Sequence, residues 1–398
     1  MAANPVAQAY NRALVEALKR ETDLRDPAIE AAFLAVPRHL FLPQYTLERA
    51  YADEALPIKR DSDGSVLSSA SQPSMIALML RQLRLQPGHN VLEIGAGTGY
   101  NAALIQHIVG DEGAVTSVEL DPDLVEQAQT HLQRVGMGSV QIVQGDGALG
   151  YAPRASYDRI ICTAAVWDVP PAWIRQLKRG GRLVTPIGGA GQFSAAFTLR
   201  PDGTLYSREN IPCRFIALRG IAAGPATYCR VGSSGVTMVS DDAERLDTAS
   251  LHLLLSDDVE IAGLSPSLTA REYWQGFLPY LMLHVPPGFI FAMYTVSAEQ
   301  HAYGLEDSGF ALIGPGSASF VPFQGRGEVH CYGAADALLA LGEVAQAWEA
   351  AGRPGSGRLR LRLLHHEDDR PPPARGVILP RLYHDLYMWQ DERDGRDY

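Results

Sequence analysis

Three glycines at alternate positions, Gly95, Gly97 and Gly99, follow the apolar run Val91-Leu92-Glu93-Ile94 and precede a helical pattern over 101–109. That order reads as a buried strand, a tight turn and a helix start. Glycine suits such a turn because the backbone must bend sharply and let a ligand approach closely. A nicotinamide fingerprint would need Gly or Ala at its sixth position, where this chain has Tyr100. No Lys-Ser/Thr pair follows, which excludes a phosphate-gripping P-loop. A second strand, Ala114-Val115-Thr116-Ser117-Val118, ends in Glu119-Leu120-Asp121, and an acidic residue there is placed to accept two ribose hydroxyls. A third run, 140–143, leads to Gly145-Asp146-Gly147. Three candidate ligand positions thus fall at the carboxyl ends of three successive strands, where open α/β sheets bind their ligands.

The G-x-G-x-G spacing resembles the first motif of class I S-adenosylmethionine-dependent methyltransferases. The resemblance implies an α/β fold with an open, twisted, Rossmann-like sheet, and S-adenosylmethionine as cofactor. It places Glu93, Gly95, Ala96, Gly97, Thr98 and Gly99 against the donor, Glu119 and Leu120 at its ribose, and Asp146 and Gly147 at its adenine. A narrower resemblance starts upstream. Phe33, Val36, Pro37, Arg38, Phe41 and Pro43 spell F-x-x-V-P-R-x-x-F-x-P, similar to the N-terminal signature of protein-L-isoaspartate O-methyltransferases. Residues 50–58 fit the next block of that family, and Ala70-Ser71-Gln72-Pro73 fits its I-S-Q-P block. Residues 157–165 resemble its fourth strand, 182–188 its fifth, and Arg214-Phe215-Ile216-Ala217-Leu218 the R-F-V-P-L strand with which the repair enzymes end. The match covers about the first 220 residues.

By this resemblance Ser71 lies beside donor and acceptor, with Ser69 at the preceding threonine position; these two are the candidate catalytic residues. A hydroxyl that donates to a carboxylate contributes roughly 1.5–3 kcal/mol. The residues alone leave open that Ser71 only caps the helix starting at Pro73. Methyl transfer to a carboxylate needs no general base, because the acceptor is already ionised near neutral pH. No His/Asp pair or metal cluster accompanies the motifs, and no metal is expected. The stretch His365-His366-Glu367-Asp368-Asp369 reads as a solvated loop. A DNA amino-methyltransferase would carry an N/D-P-P-Y/F tetrad after the fourth strand. Here that place reads Thr163-Ala164-Ala165-Val166, while Asp168-Val169-Pro170-Pro171 comes later and lacks the aromatic.

The 398 residues are enough for two domains, and 46% hydrophobic with 20% charged residues is ordinary for a globular chain. A formal net charge of −11 argues against nucleic acid as a partner. Cys162, Cys213, Cys229 and Cys331 form no C-x-x-C pair, so they suggest neither a zinc knuckle nor a disulfide framework. With no signal-like segment and no membrane-length apolar run, a cytoplasmic location is expected, and no membrane partner. Helical periodicity covers 5–21, and Asp26-Pro27 starts a second helix. Residues 1–220 are expected to form the catalytic domain and 221–398 a separate α+β domain. In the latter, strands are expected at 234–240, 289–296, 310–313, 318–323 and 328–332, with helices at 271–284 and 334–351. Strict alternation over 358–364 predicts a strand with one exposed face. Residues 370–373 read as a break and 391–398 as a charged tail.

Three departures from the repair family bear on the acceptor side. Residues 59–67 replace a short G-x-G-type link, Ser68-Ser69 replaces a Q-T pair, and the second half is added. The combination resembles the isoaspartyl-methyltransferase homologues found with ribosomally made modified peptides, namely lanthipeptides, lasso peptides and graspetides. This implies methylation of an L-aspartate side chain in a macrocyclic precursor peptide. Attack of the next backbone amide on the ester then releases methanol and gives an aspartimide, which persists or hydrolyses to isoaspartate. The alternatives are an isoaspartyl repair methyltransferase with an accessory domain, a peptide-binding module without catalysis, and a small-molecule methyltransferase. Residues 221–398 are expected to recognise the peptide. The sequence does not specify an oligomeric state.

Overall fold

The computed structural model describes residues 4–391 apart from 23, 63, 226–227, 298–299, 307, 325–326 and 367–375. A small antiparallel hairpin, β1 (Leu56–Arg60) with β2 (Val66–Ala70), comes first. The main sheet then begins with β3 (Asn90–Ile94), β4 (Ala114–Glu119), β5 (Gln141–Gln144), β6 (Tyr157–Cys162) and β7 (Leu177–Gly188), which pair in parallel in the order β5-β4-β3-β6-β7. The antiparallel β8 (Gln192–Leu199) and β9 (Leu205–Cys213) continue it. This is the expected class I methyltransferase architecture. The sheet is covered on both faces, which is why Val91-Leu92 of β3 and Ile160-Ile161-Cys162 of β6 are consecutive buried apolar residues rather than alternating ones. One face packs Leu14, Phe33, Leu80 and Leu104, the other Ile160, Trp173, Leu183 and Phe197. The strand order reverses between β3 and β6, and a crevice opens there at the carboxyl ends.

A second sheet is wholly antiparallel. It comprises β10 (Tyr228–Arg230), β11 (Val236–Val239), β12 (Glu260–Gly263), β13 (Ile290–Val296), β14 (Gly309–Gly314), β15 (Ser317–Pro322) and β16 (Glu328–Gly333), in the order β10-β11-β13-β14-β15-β16-β12. The helix Asp336–Ala350 packs Leu341, Ala345 and Trp348 against one face. After it the chain returns to the first sheet. β17 (Leu359–His365) pairs with β9, β19 (His384–Gln390) with β17, and β18 (Val377–Pro380) with β19. Residues 359–390, expected within the second unit, therefore extend the first sheet. Asp168, in the loop after β6, fastens this return. Its Oδ2 accepts from Tyr383 N at 2.6 Å and His384 N at 3.1 Å, and its Oδ1 lies 2.8 Å from His384 Nδ1.

Two expectations are corrected. β17 does not present an open polar face: Leu361 and Leu363 are buried, Arg362 is half-buried, and Arg360 is buried and meets Asp391 at 2.8 Å. Residues Arg214 to Leu218 are not the terminal strand. β9 fills that place, and the following segment crosses the carboxyl ends of the sheet, touching it through a parallel bridge between Ala217 and Ala165. Among the described residues, no helix is long and apolar enough to cross a membrane, and no three His, Cys, Asp or Glu side chains gather as metal ligands. The acidic part of the 365–369 stretch lies outside the described residues, as do the 370–373 break and all but the first residue of the charged tail.

Candidate active site

A cavity of about 770 Å³ lies where β3 and β6 diverge. The glycine turn makes its floor. Gly95 has φ +91°, and a Cβ there would stand 2.7 Å from Thr163 Oγ1, which itself donates to Gly95 O at 2.8 Å. Any side chain at 95 would break this junction of the two strand ends. Glu119, at the end of β4, is the acidic residue of the lining. Its Oε2 accepts from Gly97 N at 2.9 Å, and its Oε1 from Leu120 N at 2.9 Å and Asp121 N at 3.2 Å. Backbone donors therefore aim the carboxylate before any ligand arrives. Gly147 closes the floor, packed so that a Cβ would meet Ile94 Cγ2 at 2.5 Å; its carbonyl accepts from Trp173 Nε1 at 2.8 Å.

The opposite wall comes from the hairpin and the block after it. Ser69 of β2 and Ser71 both line the cavity. Arg38 holds the Ser71 backbone. Its guanidinium is fully buried, donates to Ala50 O at 3.0 Å and to Ser71 O at 2.9 Å, and lies over the Tyr100 ring. Burial lowers the Arg38 pKa. Ser71 does not cap the next helix. The cap residue of Pro73–Leu83 is Gln72, without a side-chain cap bond, and Asp53 Oδ1 accepts from Ser74 N at 2.7 Å instead. The hairpin is tied to the floor through Lys59, which meets Asp121 at 3.3 Å and Asp123 at 2.6 Å. Arg219 binds the same Asp121 at 2.5 Å. Burial pushes the Asp121 carboxyl up, but the bonds from Arg219 and Lys59 outweigh it and the net shift is downward.

Of the residues singled out from sequence, Ser69, Ser71, Gly95, Gly97, Glu119, Leu120 and Gly147 meet in this one cavity. Ala96 and Thr98 line a smaller chamber beside it, with Arg38, Tyr100 and Asn101. There Arg38 Nη1, Tyr100 Oη and Asn101 Oδ1 are buried with no hydrogen-bond partner among the described residues. Gly99 starts the helix Tyr100–Val109 with φ +84°, and a Cβ there would press on Ala128 O at 3.3 Å. Two placements differ from expectation. Glu93 is fully buried beneath the turn and outside the lining. It accepts from Asn101 Nδ2 at 2.7 Å and Ser117 Oγ at 2.5 Å, and burial raises its pKa to about 7. Asp146 is also outside the lining. It accepts from Ala148 N at 2.9 Å and Ile221 N at 2.7 Å, so it anchors the segment that leaves the site.

That segment supplies what sequence reasoning missed. Residues 212–219 line the cavity, and Arg214 is a cation there with no ionic partner among the described residues. Tyr228 of β10 and Trp274, both from the second half, complete the wall. Nothing in local spacing places two aromatics more than a hundred residues past the glycine turn beside it. Floor and wall together can hold an extended polar ligand along Gly95, Glu119 and Gly147 and present an anionic acceptor near Ser69, Ser71 and Arg214.

The chain is similar to known proteins. A family model described as protein-L-isoaspartate(D-aspartate) O-methyltransferase matches residues 8–222. The protein-L-isoaspartate O-methyltransferase of Methanopyrus kandleri is 40% identical over 209 residues, covering 52% of this chain and 90% of that protein. Protein-L-isoaspartate O-methyltransferase 1 of Archaeoglobus fulgidus is 44% identical over 209 residues, covering 52% and 93%. A solved structure of a protein-L-isoaspartate O-methyltransferase superimposes with a TM-score of 0.51 at 28% identity, covering 88% of this chain and 96% of its own. That coverage runs well past residue 222, so a second half of this kind also occurs in a protein of that name.

Proposed function

We propose, for a chain that belongs to the protein-L-isoaspartate(D-aspartate) O-methyltransferase family, transfer of a methyl group from S-adenosylmethionine to an aspartyl-type carboxylate in a peptide. The carrying observation is the single cavity in which a glycine floor with Glu119 faces Ser69 and Ser71. The floor fits the donor. Gly95, Gly97 and Gly147 line it without a side chain that would stand in the donor's way, Glu119 offers a carboxylate for hydroxyls, and the unpartnered polar atoms of Arg38, Tyr100 and Asn101 suit a charged amino-acid end. When bound, the donor supplies a methyl group on a cationic sulfur. The chain's own residues then orient and exclude water. Ser69 and Ser71 donate hydrogen bonds to the acceptor carboxylate, Arg214 attracts it, and the hairpin held by Lys59 covers the reacting atoms. Alignment of this kind is the main catalytic resource when the nucleophile needs no deprotonation.

The finer acceptor we propose is an L-aspartate side chain in a macrocyclic, ribosomally made precursor peptide, with aspartimide as the product of the following cyclisation. The support is the wall itself: residues 59–67 and Ser68-Ser69, which depart from the repair family, form the hairpin that lines the acceptor side. The second reading, repair of L-isoaspartyl residues, is favoured by the names of the relatives and by the solved structure that shares the second half. We assign catalysis to residues 1–220 and peptide recognition to 221–398, with 359–390 bracing the catalytic sheet. The full-length protein should be assayed on a linear isoaspartyl peptide, a linear aspartyl precursor and its cyclised form. Preference for the cyclised form supports tailoring. Methylation of the isoaspartyl peptide with the cyclised precursor ignored would replace it with repair.

A further inference from the structure

A second, mostly apolar cavity adjoins the acceptor side of the first. Leu278, Met282, Met293 and Val239 from the second half face Phe193 and the Gly189–Gly191 turn of the first. It shares Pro212, Cys213, Arg214, Tyr228 and Trp274 with the large cavity, so the two adjoin along one wall. Trp274 stands at the junction. It sits in a π-helical turn, Tyr273–Phe277, a rare geometry that recurs at functional sites, and its ring is fixed by stacking on Phe323 at 4.1 Å. Gly191 bounds the far end. A Cβ there would lie 2.3 Å from Met282 Sδ and Cε, so the absent side chain leaves that space to the flexible thioether.

We propose that this cavity is a specificity subsite for the peptide: it takes the uncharged aliphatic side chain of the residue adjacent to the acceptor aspartyl. The inference rests on the reading of the large cavity as the site of carboxyl methylation. Size and chemistry select the occupant. The volume, about 30 Å³, compares with about 10–15 Å³ needed for one water, which suits the tip of a side chain and not a backbone segment. Its polar side chains are few: Gln192 is engaged with the Phe215 backbone, and Arg214 and Tyr228 are on the wall shared with the acceptor cavity, so a polar side chain would lose its water for few partners. Because the two cavities share this wall, the occupant we assign is a side chain of a residue whose backbone lies in the large cavity.

The test is a set of peptides sharing one methylatable acceptor, with Ser, Leu or Phe at each neighbouring position, compared by kcat/KM. Wild-type protein should prefer Leu over Ser at one of the two positions by about tenfold or more, as hydrophobic pockets do for a few methylenes. Met282→Ala enlarges the cavity and should move the preference from Leu toward Phe. Leu278→Ala should bring the Leu/Ser ratio toward one. Because each ratio is taken within one protein sample, partial unfolding cancels. Methylation of all three peptides at equal rates by wild type overturns the subsite and leaves the methyltransferase reading intact. Absence of methylation on every peptide overturns both. Variants that lower all rates alike, with the preference unchanged, show that Met282 and Leu278 only hold the fold and also overturn the subsite.

Discussion

Glu93→Gln separates a carboxylate that touches the donor from one that only supports the turn. Glu93 is buried, with Ser117 Oγ and Asn101 Nδ2 donating to it, and burial raises its pKa from 4.5 to about 7. A carboxyl that binds its proton more tightly in the folded state makes stability fall as pH rises from the unfolded pKa to the folded one. At 1.36 kcal/mol per pH unit, this interval amounts to about 3 kcal/mol. The wild type should therefore carry its full contribution below about pH 4.5 and lose about 3 kcal/mol of it by just above pH 7. Glutamine has no such titration and keeps one acceptor and one donor for Asn101 and Ser117. The stability difference between variant and wild type should grow in favour of the variant by about 3 kcal/mol across this window. Urea denaturation at a series of pH values measures it, and calorimetry of donor binding runs alongside. The variant should show a flattened pH profile and donor affinity within a few-fold of wild type. An unchanged pH profile, together with affinity reduced by ten- to a hundred-fold, would refute the structural assignment and return Glu93 to the ligand.

Three further substitutions bear on the site. Glu119→Ala should weaken S-adenosylmethionine binding by about 1.5–3 kcal/mol, the worth of a charged hydrogen-bond acceptor; unchanged affinity by calorimetry removes Glu119 from the site. Ser71→Ala should lower turnover about ten- to a hundred-fold with melting temperature intact, because Asp53 rather than Ser71 serves the next helix; lower stability with normal turnover is the contrary result. Arg38→Met strands the Ala50 and Ser71 carbonyls, at about 1–3 kcal/mol for each unsatisfied group. It should reduce both thermal stability and kcat, and a variant with wild-type stability would show that the buried guanidinium is not needed to hold the Ser71 backbone.

Most of the first sheet was legible in the chain because its signals are local. Buried parallel strands such as Val91-Leu92 and Ile160-Ile161 need only a short apolar run, and Gly95 and Gly99 mark turns that other residues cannot make. Asp26 accepts from Ala28 N at 2.9 Å, the cap that Asp26-Pro27 announces. Glu93 and Asp146 misled because their spacing in the motif says nothing about which way the carboxylate turns; neighbours distant in sequence, Ser117 and Ile221, decide that. β17 misled for a related reason. Its alternation Arg360-Leu361-Arg362-Leu363 is real, but the arginine side is covered as well: Arg360 is buried against Asp391 and Arg362 is half-buried. Tyr228 and Trp274 reach the cavity through tertiary packing, and no window of the sequence contains both them and the glycine turn.

The claim on which the rest depends is that the acceptor is a carboxylate. Full-length protein should be incubated with methyl-labelled S-adenosylmethionine and aspartyl and isoaspartyl peptides, and the modified peptide then treated with mild base. A methyl ester releases its label as volatile methanol, and the account predicts that essentially all of the label leaves in this form. Glu119→Ala and Ser71→Ala should each reduce the amount transferred. Label that stays on the peptide after base, as a methyl group on nitrogen would, contradicts the account, as does donor binding without transfer to any of these peptides.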